Sequence, residues 1–191
     1  MSLRIHKLSN YRFGASEDEE EEDKAHTDRM EKIKEIFAVE GTVKSVRCII
    51  LAHEHNIPTI LLLKNKNKKK LQMPGGIVRT GEEDEAAIKR ILNKKFRIVE
   101  GEFDIGEHVA TWYRPQFSEY LYPYLPAHIT QAKEIEKWYI VMLPEKAHFN
   151  IQSKNELSAL QFIQIHNNVE YQEKTLLYIP AIMSKYDFTF E

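Results

Sequence analysis

A glycine-rich turn and the charged segment after it constrain the fold of this chain more than any other stretch. Residues 73–76 read Met-Pro-Gly-Gly, and Glu82 follows Gly76 after five intervening residues. Seven further residues separate Glu82 from Arg90. A glycine turn that leads into a charged, periodic segment predicts a loop followed by a helix.

The segment after the turn carries the signals of that helix. Thr80 and Glu83 have the spacing of a capping box, in which the two side chains bond backbone N–H groups at the helix start. Basic residues near Phe96 suit a helix that ends there, because cations offset the negative end of the macrodipole. An apolar stripe at helical spacing is formed by Ile88, Ile91 and Leu92. An ordinary capped surface helix after a turn would explain these signals without any further function.

The spacing of the turn and helix resembles a Nudix box, in which three glutamates after the arginine hold Mg²⁺. Here those positions are occupied by Ile91, Lys94 and Lys95. They are spaced i, i+3 and i+4, so they share one helix face. A lysine ammonium about 5 Å from Mg²⁺ costs roughly 6 kcal/mol at an effective dielectric constant of 20. We therefore expect no metal site, no cofactor and no catalytic residues.

An active Nudix hydrolase acting on dinucleoside polyphosphates is the enzymatic alternative. Its support comes from the acidic run Glu82–Glu85, which lies at the other end of the predicted helix. Magnesium prefers oxygen ligands that converge on one point, and the substituted helix face does not supply them. We therefore expect a protein that is not an enzyme.

Composition indicates one domain with its own apolar core. The chain has 191 residues, of which 42% are hydrophobic and 29% charged, and its net charge is −2. No global positive field would recruit nucleic acid, so any such contact must be local. Cys48 lies in an apolar run and is expected to be a reduced core residue. With no long apolar run in the sequence, we expect an intracellular protein that does not span a membrane.

Two parts are expected along the chain. Residues 1–40 comprise an extended arm, the acidic run Glu17–Asp23 and a helix over His26–Phe37; residues 41–191 form a Nudix-like domain. The acidic run is interpreted as solvated, with contact to a basic partner as the alternative. Strands are predicted for Thr42–Ala52, Pro58–Leu63, Glu102–Trp112, Lys137–Leu143 and Leu157–Ile165, and a last helix for Leu176–Tyr186.

Two loops are candidates for binding. The basic run Lys64–Lys70 is predicted to be a hairpin tip, either simply solvated or in contact with phosphates. The aromatic, proline-rich stretch 112–130 is unusual for a loop. Its rings are suited to stacking on bases or to anchoring a protein partner, and packing of the loop on itself remains open.

Several longer motifs together resemble the family of 25 kDa subunits of cleavage factor Im, Nudix-fold proteins of pre-mRNA 3′-end processing. The resemblance runs nearly end to end and is most specific in the Tyr-Pro-Tyr-Leu-Pro-Ala-His-Ile-Thr segment. The segments that carry it are Asn10–Gly14, His53–His55, Pro74–Gly76, Gly81–Glu85, Trp112–Pro115, Tyr122–Thr130 and Tyr186–Phe188.

The resemblance implies an α/β fold, an αβα Nudix sandwich with a mixed sheet, an N-terminal arm and a helix. It also implies a nuclear, non-catalytic homodimer that binds UGUA elements in RNA. The family binds a larger cleavage factor Im subunit through the RNA-recognition domain of that subunit. A protein-only scaffold that has lost sequence-specific RNA binding remains an alternative.

Individual site residues are implied by the same resemblance. The RNA site would comprise His26, Arg47, Lys70, Leu71, Met73 and Tyr171. An aromatic pair of the family aligns with Lys70 and Leu71, so base stacking worth about 1–3 kcal/mol per base is lost there. The partner site would comprise Tyr122, Tyr124 and Ile182.

Overall fold

The computed structural model describes residues 2–16, 29–65, 71–96, 98–152, 157–165 and 174–191. The acidic run Glu17–Asp23, His26 and Tyr171 lie outside these residues. So do positions 66–70, which include Lys70 and most of the basic run.

The described elements are runs of strands separated by three α-helices. The first half contains β1 (Ser2–Ile5), β2 (Tyr11–Ser16), α1 (Arg29–Glu40), β3 (Val43–Glu54), β4 (Ile57–Asn65), β5 (Leu71–Gln72), β6 (Gly75–Ile77) and α2 (Asp84–Phe96). The second half contains β7 (Ile98–Glu100), β8 (Asp104–Arg114), β9 (Glu134–Met142), β10 (Ala147–Gln152), β11 (Leu157–Gln164), α3 (Ile179–Met183) and β12 (Asp187–Phe190). Short 3₁₀ helices span Leu8–Asn10 and Lys174–Tyr178.

The largest sheet is mixed and has β3 at its centre. The strand order is β11-β4-β3-β9-β8, with β5 paired to β4 and β6 paired to β3. β3 runs parallel to β9, with Arg47 opposite Trp138, and antiparallel to β4 and β6. The long β3–β9 pairing therefore sets the alignment of β4, β6 and β8, because each of these strands pairs with β3 or β9.

Apolar side chains of β3 point to both faces of this sheet, and each face is covered. On one face, Val46, Cys48 and Ile50 pack against α2. On the other, Ile49 and Leu51 join Trp138 of β9 and the α3 residues Ile179 and Met183. A strand buried on both faces reads as a continuous apolar run, which is why it was recognisable in the sequence. The αβα sandwich is confirmed.

Two small sheets extend the sandwich. β10 pairs with β2 in parallel and with β7 in antiparallel orientation, and β1 pairs in parallel with β12. His53 of β3 holds the β1–β12 sheet in place. Its backbone N–H donates to the His6 carbonyl at 3.0 Å, and its Nε2 lies 2.9 Å from the Glu191 carbonyl oxygen. The N-terminal arm is thus part of the fold.

Several boundaries differ from the prediction. The capping box at Thr80 is wrong: α2 begins at Asp84, and the Thr80 hydroxyl donates instead to Glu40. The last helix is shorter than predicted, because a 3₁₀ segment precedes Pro180, which lies in the first turn of α3. Strand β9 begins three residues earlier than predicted, at Glu134. Strands β7, β10 and β12 were not predicted.

In the part of the chain that is described, no helix is both long and apolar enough to cross a bilayer.

Strand β6 approaches β3 closely at Gly75, where a side chain would not fit. A Cβ at Gly75 would lie 2.2 Å from the Val46 carbonyl oxygen, whereas a Cβ at Gly76 would lie 3.2 Å from the flexible Cδ1 end of Ile91. We expect Gly75→Ala to lower the free energy of unfolding by about 2 kcal/mol or more, because β6 must move off β3. Gly76→Ala, the matched control, should cost clearly less. Urea unfolding followed by circular dichroism measures both, and equal losses would contradict this reading of the β3–β6 contact.

Candidate functional site

The loop before α2 is tied to the helix by a two-bond ion pair. Arg90 donates from Nε and Nη2 to the two carboxylate oxygens of Glu82, both at 2.7 Å, and its Nη2 also donates to the Ile77 carbonyl at 3.2 Å. The hydrogen bonds from Arg90 and from the backbone N–H of Arg79 lower the pKa of Glu82 to about 2. The two residues that fit the Nudix spacing therefore hold the loop in place.

The helix face that carries metal ligands in the Nudix pattern has a different character here. Ile91 is 6% exposed and packs in the core beneath α2, where its side chain faces Gly76. Lys94 is exposed and Lys95 is half-buried. Among the residues described, no group of three or more His, Cys, Asp or Glu side chains converges as a metal site would require. This face of α2 therefore consists of the apolar side chain of Ile91 and the cationic side chains of Lys94 and Lys95.

A buried ionic cluster lies on the opposite face of the sheet. Its first centre is Glu136 of β9, which accepts from Arg47 Nε at 3.0 Å and from Trp138 Nε1 at 3.0 Å. Arg47 also donates through Nη1 to the Met73 carbonyl at 3.1 Å. This arrangement connects β9, the central strand and the segment just before the glycine turn.

The second centre is Glu134, whose side chain is fully buried. It accepts from Arg114 Nε at 2.8 Å and from the Ser45 hydroxyl at 2.7 Å. Arg29 of α1 bonds the same carboxylate and lies 3.4 Å from Glu136. Three guanidinium groups thus surround two carboxylates, which leaves a formal charge of +1. Arg29, at 32% side-chain exposure, is the part of this cluster that faces solvent.

Opposing effects set the protonation of this cluster. Burial alone raises the pKa of Glu134, but the charges of Arg29 and Arg114 and the hydrogen bond from Ser45 outweigh it and bring the pKa to about 2. The carboxylate is therefore ionised at neutral pH. The cluster is a pre-arranged set of donors suited to anionic or carbonyl-bearing ligands.

The residues predicted for an RNA site are only partly brought together. Arg47 and Met73 meet through the hydrogen bond to the Met73 carbonyl. The side chains of Leu71 and Met73 are buried in the core rather than displayed. His26, Lys70 and Tyr171 lie outside the described residues, so this part of the site stays a prediction.

The residues predicted for a partner site lie on one exposed surface. Tyr122 and Tyr124 are 37% and 61% exposed, with ring centroids 6.1 Å apart. Tyr122 exchanges backbone hydrogen bonds with Tyr113 at 2.7 and 2.9 Å, which attaches the loop to the end of β8. Ile182 of α3 lines a groove together with Pro123. The three predicted residues therefore border a common surface.

Sequence reasoning missed Arg29, Arg114, Glu134 and Glu136. The available signal was the alternation of Glu134 and Glu136 with Ile135 and Lys137. Every second residue of a strand points to the same face of the sheet, so this pattern places both carboxylates on the same face as Trp138. The resemblance placed a contact at His26. In the structure, Arg29, which lies three residues after His26, donates a hydrogen bond to Glu134 of the cluster.

Comparisons with known proteins agree with this architecture. The NUDIX_2 family model, described as a nucleotide hydrolase, matches residues 1–186. Among solved structures, the chain is similar to the NUDIX domain of Shewanella oneidensis NrtR in complex with ADP-ribose. That likeness has a TM-score of 0.53 at 14% identity and covers 78% of this chain and 90% of the other. At this identity it shows the fold alone.

Two relatives are similar over nearly their whole length. The cleavage and polyadenylation specificity factor subunit 5 of Dictyostelium discoideum is 36% identical, covering 100% of this chain and 98% of its own. The pre-mRNA cleavage factor Im 25 kDa subunit 2 of Arabidopsis thaliana is 37% identical, covering 97% of this chain and 94% of its own.

The ionic cluster predicts an acid-sensitive stability. The pKa of Glu134 is depressed from 4.5 to about 2 in the folded protein. A depressed pKa contributes stability that is present above pH 4.5 and is lost as the pH falls towards 2, here about 3 kcal/mol. Glu134→Gln should lower the free energy of unfolding at pH 7, because Arg29 and Arg114 lose their anion, and should flatten its dependence on pH in that window. Urea unfolding at several pH values measures this.

Glu83→Gln, at an exposed position just before α2, is the matched control. It should keep the wild-type loss of stability on acidification. The same pH profile in wild type and Glu134→Gln would contradict the role given to the cluster.

Proposed function

Because the chain belongs to the family of cleavage factor Im 25 kDa subunits, we propose that it serves as a non-catalytic RNA-binding and scaffold subunit in pre-mRNA cleavage and polyadenylation. The observation that carries this proposal is the identity of 36–37% to such subunits over nearly the full length of both chains. A nuclear location follows from that role.

The RNA would lie over the buried ionic cluster. Arg29 and Arg47 supply guanidinium donors, which suit base carbonyl groups and phosphates. Arg47 is held by Glu136 and by the Met73 carbonyl, so its orientation is set before a ligand arrives. The predicted contacts at His26, Lys70 and Tyr171 belong to this proposal. The RNA elements would be UGUA or similar, and two protomers of a homodimer would engage two of them with added avidity.

Binding without cleavage is supported by the face of α2. A Nudix hydrolase needs carboxylates where this chain has Ile91, Lys94 and Lys95. Ile91 is packed in the core, and two ammonium groups on the same face oppose a divalent cation. The protein would therefore hold RNA without cutting it.

Protein binding is supported by the exposed tyrosine pair. Tyr122 and Tyr124, with Ile182 beside them, would contact the RNA-recognition domain of the larger cleavage factor Im subunit. Exposed tyrosines in an apolar setting are typical anchors of protein interfaces.

RNA recognition is tested with short labelled oligonucleotides. By fluorescence anisotropy at 150 mM salt, the protein should bind a UGUA RNA more tightly than a scrambled RNA of the same composition. Arg47→Gln should weaken UGUA binding roughly tenfold or more, because a charged hydrogen bond contributes about 1.5–3 kcal/mol. Arg12→Gln removes the same charge from exposed β2 and should have little effect.

Two results would count against this part of the proposal. Equal affinity for both RNAs would remove sequence recognition. Absence of binding to either would leave a protein-only scaffold.

The absence of hydrolysis has its own test. Diadenosine tetraphosphate incubated with the protein and Mg²⁺ or Mn²⁺ should give no nucleotide release above the protein-free rate, while an active Nudix hydrolase run in parallel does. Chelation of divalent metal should leave UGUA affinity unchanged, since no metal takes part in binding. Metal-dependent turnover at enzymatic rates would make the protein a hydrolase.

A further inference from the structure

An exposed aromatic patch lies where the end of α1 meets the loop after β8. Phe37 of α1 and Phe117 of the loop pack edge to face, with ring centroids 5.6 Å apart. The ammonium group of Lys133 lies 4.1 Å from the Phe37 centroid and 5.5 Å from the Phe117 centroid, and that of Lys34 lies 6.0 Å from Phe117. Phe117 is 37% exposed, so part of its ring is open to a ligand. We refer to these four residues as the Phe117 patch.

The two lysines of the patch have no acidic partner. Within the part of the chain that the structure describes, neither ammonium group forms an ion pair with Glu35, Glu119 or another carboxylate. Lys89 and Lys137, by contrast, are each paired with a carboxylate, at 2.8 and 2.6 Å. Two cations held against aromatic rings without a counter-charge form a surface that attracts an anion.

The patch adjoins the buried ionic cluster through Arg114. Arg114 Nη1 donates to the carbonyl of Ser118, the residue after Phe117, and the Arg114 carbonyl accepts from the Lys133 N–H at 2.7 Å. Arg114 Nε donates to Glu134 of the cluster at 2.8 Å. One side chain of the cluster therefore positions the aromatic loop, and its backbone positions Lys133.

Helix α1 also connects the patch to the cluster. Arg29, Ile33 and Phe37 are spaced four residues apart, so they follow one row along the helix. Arg29 bonds Glu134 of the cluster, Ile33 is fully buried beneath the helix, and Phe37 ends the row in the patch. Eight residues of helix span roughly 12 Å, a distance that one extended strand of nucleic acid can follow without a break.

The composition of the patch suits single-stranded RNA. An aromatic ring stacks on a base of any identity, and ammonium groups contact phosphates. The centres of protein interfaces, by contrast, are depleted in lysine. Phe117 also belongs to the aromatic stretch 112–130, for which the sequence left base stacking open.

We propose that the Phe117 patch binds nucleotides that flank the UGUA element, with Phe117 stacked on one base and with Lys34 and Lys133 in contact with phosphates. The inference rests on the proposed function and lengthens its RNA site at one end. Contacts of this kind carry no base information. The patch would therefore add affinity for any single-stranded flank, while recognition of the element itself stays with the cluster and its surroundings.

Binding of the flank is measured by isothermal titration calorimetry at 150 mM salt. The ligands are the UGUA tetranucleotide and the same element with three uridines added at the 5′ or the 3′ end. One of the two extended RNAs should bind the wild-type chain about tenfold more tightly than the tetranucleotide, the effect of one stacked base. Replacing the added uridines with cytidines should preserve most of this gain.

Two single substitutions locate the gain. Phe117→Leu keeps an apolar side chain but removes the ring, so it should abolish the gain and leave tetranucleotide affinity at the wild-type value. Lys34→Gln should reduce the gain severalfold and lower the salt dependence of extended-RNA binding by about 0.7 in log–log slope, the effect of one phosphate contact. Lys32→Gln is the matched control. It removes the same charge from the same helix, roughly 160° around the axis, and should bind every RNA like wild type.

The outcomes separate the inference from the proposed function. Reduction of the gain in both variants, at unchanged tetranucleotide affinity, supports the inference and excludes misfolding as the cause. Tetranucleotide binding without a gain from either flank overturns it and leaves the proposed function standing, as does a gain that either variant keeps in full. Equal losses for the tetranucleotide and the extended RNAs would show that the patch only supports the cluster, and would overturn it too.

Two further results concern other ligands of the patch and the RNA role itself. A change of oligomeric state in Phe117→Leu with the gain intact, seen by light scattering, assigns the patch to a contact between copies of the chain and overturns the inference. Failure of the wild-type chain to bind any of these RNAs overturns the inference together with the RNA part of the proposed function.

Discussion

The rest of the structure depends on one interaction. Two glutamates lie among three arginines on one face of the large sheet. Glu134 and Glu136 stand on one strand, and the guanidinium groups reach them from α1, β3 and β8. Removing any one partner would leave a charge in a poorly solvated place, which costs far more than a surface ion pair contributes. The cluster therefore fixes the relative positions of four elements. It also leaves one excess positive charge, and Arg29 is the member of the cluster that faces solvent.

On the opposite face of the sheet, the residues that fit the Nudix spacing hold the glycine loop and α2 together. Arg90 and Glu82 still fasten the glycine loop to α2, and Gly75 still allows β6 to approach β3. These contacts serve geometry and need no metal. Ile91, at a position where a metal ligand would stand, instead contributes to the core. The helix thus gains apolar packing at a position where a Nudix enzyme would carry a cluster of carboxylates, which repel one another.

Sequence reasoning reached the central strands, α2 and the sandwich because their signals are local: a continuous apolar run, a glycine turn and helical spacing. It missed β7 and β10 because their pairing partners are distant in sequence. It missed Glu134 and Glu136 because their role depends on β3 lying in parallel register beside them. The tyrosine pair was identified through family resemblance, and its exposure was then found in the structure.

The parallel pairing of β1 with β12 has a consequence for how this chain is made. Ser2 lies opposite Asp187, so the two strands of this sheet are far apart in the sequence. During translation β1 leaves the ribosome before β12 has been made, so its edge stays open for the interval between them. Arg4 places a positive charge on this strand, and charge on an exposed strand discourages aggregation. The synthesis of β12 therefore completes the small sheet that β1 began.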